Sequence, residues 1–179
     1  MKSQFLLLPP ASVVAPGGSA WATVYLSVEQ AQALMFPGAT FQPDTRTLTN
    51  EQAKAIEHVS GVSVRGRQLK LWRVSTGGWF MVDEVVGKHE FIPFALGLDP
   101  GGAVKAIEIL EYREAYGAQI CEPDWRRQFA GKQPGSKLQP GKNVRNISGA
   151  TLSCKHVTDG VQRLLATYEI VLKEVAAKP

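Results

Sequence analysis

The chain has 179 residues, 44% of them hydrophobic, and its 20 Lys and Arg against 16 Asp and Glu give a formal charge of +4. That length supports one domain with a real core, and the apolar content is too high for a chain that stays disordered. So small a surplus of positive charge is too mild to argue for nucleic acid, and the mixed charge of the segments read below as strands argues against an RNA-binding surface.

The N-terminus runs Met1-Lys2-Ser3-Gln4-Phe5-Leu6-Leu7-Leu8 and ends in small residues at Ser19-Ala20-Trp21-Ala22. This is the order of a secretory signal, with a basic start, an apolar middle and an Ala-x-Ala end, although Pro9, Pro10 and Pro16 interrupt the apolar part. We expect export, with residues 1–22 removed and residues 23–179 left as one domain. No other segment approaches the roughly 20 apolar residues needed to cross a bilayer, so the mature chain is expected to have no transmembrane span.

Ser27-Val28-Glu29-Gln30 and Thr49-Asn50-Glu51-Gln52 each read as a capping box that opens a short helix, the second closing near Gly61. Strands are predicted over residues 68–74, 78–86, 89–98 and 103–111, the first two joined through Gly77-Gly78 and the last two through Asp99-Pro100-Gly101-Gly102. They form a meander. A short helix over 124–130 is expected to stop at Gly131, followed by a Pro/Gly-rich loop over 133–143. The last segment is a long helix, because Cys154, Val157, Val161, Leu164, Leu165, Tyr168, Val171, Leu172 and Val175 recur at helical spacing. Gly160 within it costs about 1 kcal/mol relative to Ala, which suggests close packing on the sheet. The fold class is therefore α+β: a small antiparallel sheet covered by helices, with a long C-terminal helix.

That helix begins at Ser148-Gly149-Ala150-Thr151, where a glycine-rich loop delivers hydroxyls and free backbone N–H groups to the positive end of a helix. Such an end favours phosphate. Residues 125–158 contain no Asp or Glu but hold Arg126, Arg127, Lys132, Lys137, Lys142, Arg145 and Lys155. This field suits a phosphate or an acidic electron-transfer partner, and it equally suits a solvated basic surface. On the residues alone, the simplest role for Thr151 or Ser153 is an ordinary N-cap.

Other candidates carry less. His58, His89 and His156 have no spacing that implies a shared metal. Asp83 and Glu84 are adjacent on a strand and point to opposite faces, against paired acid/base work. No residue is assigned as acid, base or nucleophile. Cys121 and Cys154 leave pairing open, and Cys154 reads as a buried small residue on the apolar face of its helix.

The frame Asn146-Ile147-Ser148-Gly149-Ala150-Thr151-Leu152-Ser153, followed by His156-Val157-Thr158-Asp159-Gly160-Val161, resembles the FMN-binding domain family, as does Trp125-Arg126-Arg127-Gln128-Phe129-Ala130-Gly131-Lys132 upstream. Relatives are flavin subunits of sodium-pumping NADH:quinone reductase and Rnf complexes, and free-standing extracytoplasmic flavoproteins. The resemblance implies FMN carried on Thr151 through a phosphoester bond, installed by a flavin transferase. Ser148, Gly149, Ala150, Leu152, Ser153 and Lys155 would surround the phosphate. It also implies that Glu114, Tyr116 and Gly117 lie beside the flavin ring, where Tyr116 could stack or could serve as a core aromatic. The chain departs from the family where Ala115-Tyr116 replaces Thr-Pro, and where Arg145 stands in place of an Asp three residues before Ser148.

The implied function is an extracytoplasmic, periplasmic or membrane-peripheral electron carrier that exchanges electrons with a membrane electron-transfer protein or a cytochrome. Two alternatives stay open. One is an FMN-dependent reductase for a small acceptor, with Lys88 or His89 as proton donor. The other is a flavin-free binding module of the same fold.

Overall fold

The computed structural model describes residues 23–173, so the expected leader at 1–22 lies outside the described residues, as does Val175. In chain order the elements are β1 (Thr23–Val24), α1 (Val28–Met35), β2 (Phe41–Pro43), β3 (Arg46–Thr47), α2 (Asn50–Ser60), β4 (Gln68–Val74), β5 (Trp79–Val86), β6 (Phe91–Leu98), β7 (Val104–Ile109), β8 (Glu111–Tyr112), α3 (Pro123–Arg126) and α4 (Thr151–Thr167). The sheet runs β2-β4-β5-β6-β7, all antiparallel, with β3 also paired to β4; β1 and β8 form a separate ribbon. This is the predicted α+β class, and β4 to β7 are the predicted meander.

Both capping boxes are present. Ser27 and Gln30 bond reciprocally at the start of α1, as Thr49 and Gln52 do at α2, and Gly61 closes α2 at φ 69°. Sequence patterning missed β1, β2, β3 and β8, because two- or three-residue strands carry no period to read. The helix expected over 124–130 is a single α turn continued by a 3₁₀ turn, Arg127–Phe129. The last helix changes at Tyr168–Leu172 from α to π winding.

The sheet is covered on both faces. On one, Met35 and Phe36 of the α1 end sit on Gly97, where an added Cβ would lie 2.9 Å from the Phe36 ring. Ala31, Phe80 and Ala95 belong to the same apolar cluster. On the other face α4 lies along β5 and β6, with Cys154, Val157, Val161, Leu164 and Leu165 packed among Met81, Val85, Phe94 and Leu96. Gly160 makes this approach possible: a Cβ there would stand 2.8 Å from Val85 and 2.9 Å from Phe94. The apolar stripe read from the sequence is thus the core face of α4. Its other end, at Thr151, is left at the surface.

Candidate functional site

The loop that reaches α4 is fixed by the Trp125 to Gln128 segment. Trp125 is fully buried, and its indole N–H donates to the Arg145 carbonyl at 2.8 Å. The Arg145 N–H donates to Gln128 Oε1 at 2.6 Å, while Gln128 Nε2 is buried without a partner among the described residues. From there the chain turns through Gly149 at φ 82°, a left-handed conformation that favours glycine. A Cβ at Gly149 would meet nothing within 4 Å, so the space over this turn is open.

Helix α4 then starts without a cap. Its N-cap residue is Ala150, with no side-chain hydrogen bond to the first turn. The expectation that Thr151 or Ser153 serves as an ordinary N-cap is therefore corrected. Ala in place of Ser, Thr or Asp at this position forgoes about 1 kcal/mol. The first bonded amide is that of Cys154, to the Ala150 carbonyl at 2.9 Å, which leaves the N–H groups of Thr151, Leu152 and Ser153 directed out of the helix. Both other long helices fill this position with a capping box. The chain has the means to cap a helix and does not use them here.

Thr151 is exposed, and its Oγ1 accepts a hydrogen bond from Asn146 Nδ2 at 3.3 Å. That bond occupies a lone pair and leaves the hydroxyl proton free. Ser148 and Leu152 are also exposed, whereas Ser153 is buried and its hydroxyl lies 3.0 Å from that of Tyr112. Lys155 pairs with Asp159 at 2.5 Å one turn further along the helix, so its charge is shared and not aimed only at the first turn.

The segment after β8 is brought against this helix start. Gly117, at φ 95°, packs so tightly on Ala150 that a Cβ would lie 2.3 Å from the Ala150 Cβ and 2.7 Å from the Tyr112 hydroxyl. Tyr116, next to that contact, is 79% exposed, and Leu152 is 44% exposed. A large aromatic so uncovered is not a core residue, which removes that reading of Tyr116. Glu114 faces the turn between β5 and β6, where its Oε1 accepts from the backbone N–H groups of Lys88 at 2.5 Å, His89 at 2.7 Å and Glu90 at 3.1 Å. Burial alone would raise its pKa, but these three bonds outweigh burial and hold the carboxyl below its ordinary value. Lys88 and His89 are thus anchored by their backbones, with both side chains exposed. His156 of α4 donates from Nδ1 to the Val86 carbonyl at the start of the same turn. Helix start, 112–117 segment and β5–β6 turn therefore form one connected structure.

Sequence reasoning missed Tyr112, which joins residues 41 positions apart in the chain through Ser153. The only signal was an aromatic at a strand end, and nothing local encodes its partner. Cys121 and Cys154 are free thiols, and burial pushes Cys121 up to about 11. A cleft of about 420 Å³ lies apart from the motif, between α4 and β4–β5, lined by Leu69, Met81, Asp83, Arg163 and Leu164 among others. The motif itself is an open ledge. Among the described residues, no helix is long and apolar enough to cross a membrane.

A ledge of outward N–H groups, an exposed threonine, an open glycine turn and two uncovered apolar side chains, on a stretch of chain without Asp or Glu from Trp125 to Thr158, fit a phosphate linked to a planar ring. Residues 87–166 match the FMN-binding domain family. The resemblance read from the sequence is borne out over that segment, which spans the β5–β6 turn, Glu114, Gly117 and the helix motif. The fold is similar to that of a solved subunit of the Na(+)-translocating NADH-quinone reductase from Parabacteroides distasonis, with 15% sequence identity over 78% of this chain and 80% of that chain, and a TM-score of 0.50. Among curated proteins, none matches the chain in sequence.

Proposed function

We propose that this chain, with an FMN-binding domain match over residues 87–166, is an electron-transfer flavoprotein that holds FMN by a phosphoester bond to Thr151. The observation that carries the reading is the uncapped start of α4. The three outward N–H groups and the positive end of the helix would stabilise the phosphodiester charge, replacing the cap that Ala150 cannot supply. Asn146 holds the Thr151 oxygen in place, and Tyr116 and Leu152 offer apolar surface to the ring.

Bound FMN supplies exchange of one or two electrons, and the protein supplies anchoring and electrostatics. Glu114 keeps the β5–β6 turn against the segment beside the ring through the three amides it bonds. Arg126, Arg127 and Lys155 are paired with carboxylates, and the remaining cations of the stretch from Trp125 to Thr158, Lys132, Lys137, Lys142 and Arg145, draw an acidic redox partner, a membrane electron-transfer protein or a cytochrome. A covalent link keeps the cofactor on an exported chain. We place the protein outside the cytoplasm on the Ser19-Ala20-Trp21-Ala22 ending, with cleavage after Ala22 and residues 23–179 as the mature domain.

The test is co-expression of an exported form with a flavin transferase, in cells that supply FAD: the Thr151 oxygen would displace AMP from the FMN phosphorus, so that one P–O bond forms as the pyrophosphate P–O bond breaks and the hydroxyl proton is released. The chain should then run as a yellow, fluorescent band after denaturation, and Thr151→Ala, a change at an exposed residue that caps nothing, should be colourless with stability changed by no more than about 0.5 kcal/mol. Denaturation-resistant flavin on Thr151→Ala would refute the attachment site.

A further inference from the structure

The three long helices each carry a polar residue at the third helical position, and they use it differently. In α1 and α2 it is Gln30 or Gln52, whose side-chain carbonyl turns back to the N-cap backbone N–H at 2.8 or 3.0 Å. In α4 it is Ser153, which turns inward instead. The Tyr112 phenol has a single proton and donates it to the Tyr116 carbonyl at 2.6 Å, so in the 3.0 Å contact Ser153 is the donor and the Tyr112 oxygen the acceptor. Ser153 is 3% exposed and its proton is committed. The seat of Gly117 on both Ala150 and the Tyr112 hydroxyl completes a three-way junction of β8, the 116–117 turn and the first turn of α4.

We infer that Tyr112 is a positioning residue for the first turn of α4: its hydroxyl draws Ser153 inward and ties down the Tyr116 carbonyl, which keeps the helix start open and sets Thr151 beside the Gly117 turn. The junction stands on the hydrogen bonds alone, while its consequence for FMN rests on the proposed function. Burial raises the Tyr112 pKa above its ordinary value, against a smaller lowering by Ser153, so the phenol stays protonated and remains a donor at physiological pH.

Two variants test this, Tyr112→Phe, which keeps the ring, and Ser153→Ala, which removes the other half of the contact. Two readouts are taken: amide hydrogen exchange of the flavin-free chain, and the rate of covalent FMN incorporation by a flavin transferase supplied with FAD. The reporter amides are Cys154, bonded to Ala150, and Ile120, bonded to Gly117. Each variant should raise exchange at these two amides by about three- to tenfold, the net effect of one hydrogen bond, and leave β5 and β6 unchanged. Each should also slow FMN incorporation, and the double variant should be little worse than either single one. Local loosening in the variants, together with a wild-type chain that accepts no FMN, would support the junction and defeat the FMN reading. Wild-type exchange and wild-type incorporation in both variants would overturn the inference, as would a uniform rise in exchange with an unchanged incorporation rate.

Discussion

At the scale of single residues, the site depends on positions with no room or no freedom to change. Gly117 combines a φ of 95° with a void too small for one methyl group, since that methyl would lie 2.3 Å from the Ala150 Cβ. The obstacle is a helix N-cap residue, not the flexible tip of a side chain. Gly117→Ala should therefore push the 112–117 segment off the start of α4, breaking the Tyr112 to Ser153 contact while leaving the sheet intact. The expected outcome is a folded protein with near-wild-type far-UV circular dichroism, and covalent flavin incorporation reduced at least tenfold. Wild-type incorporation by Gly117→Ala would show that the close seat on Ala150 does not matter. Gly149, equally left-handed but facing open space, is governed by backbone strain alone.

Between elements, a buried charge pair holds α3, which leads toward the site, against β7. Glu108 on β7 is 8% exposed and pairs with Arg126 of α3, whose guanidinium also donates to the carbonyls of Ile107 at 3.0 Å and Cys121 at 3.1 Å. Arg126→Met removes the cation and strands a buried carboxylate, which costs about 3–5 kcal/mol when one partner of such a pair is lost. Urea unfolding should report a loss of that size, and a loss below about 1 kcal/mol would contradict it. The sequence made the long elements legible, because a stripe from Cys154 to Leu172 and two reciprocal caps are local patterns. It also made the frame matched by the FMN-binding domain family legible, because the residues of the proposed attachment motif lie within one octet. What stayed hidden was non-local: the short edge strands, the three amides held by Glu114, and the partnership of Tyr112 with Ser153 are decided by chain segments that meet only after folding. The Lys155 to Asp159 pair lies on the legible side, since four residues apart on one helix is a local spacing.

Over the whole molecule, acid should loosen the domain from its edge inward. Asp44 ties β3 to β4 through Arg46 and Arg73, each at 2.8 Å, and the two guanidinium groups lie over the Trp79 ring at 5.7 and 5.3 Å. Its hydrogen bond to Arg46, opposed by burial and aided by Arg73, lowers its pKa from 3.8 to about 2. A lowered carboxylate pKa adds stability that is present above the ordinary value and lost as pH falls through the folded one. The Asp44 contribution should thus fade from about pH 4 to about pH 2, and Glu114, also lowered, should lose its part below its ordinary value of 4.5. In urea unfolding, Asp44→Asn should be less stable than wild type at pH 7, and the two curves should converge toward pH 2. Parallel curves across that range would show that Asp44 gains nothing from ionisation.

The central claim is chemical, that one FMN is bonded to Thr151, and it is tested most directly by the intact mass of the chain purified from its native envelope, with the modified peptide sequenced. The account predicts a chain beginning at Thr23, heavier than its sequence by one FMN less one water, with the added mass on Thr151. An unmodified mass, or flavin on any other residue, would contradict it.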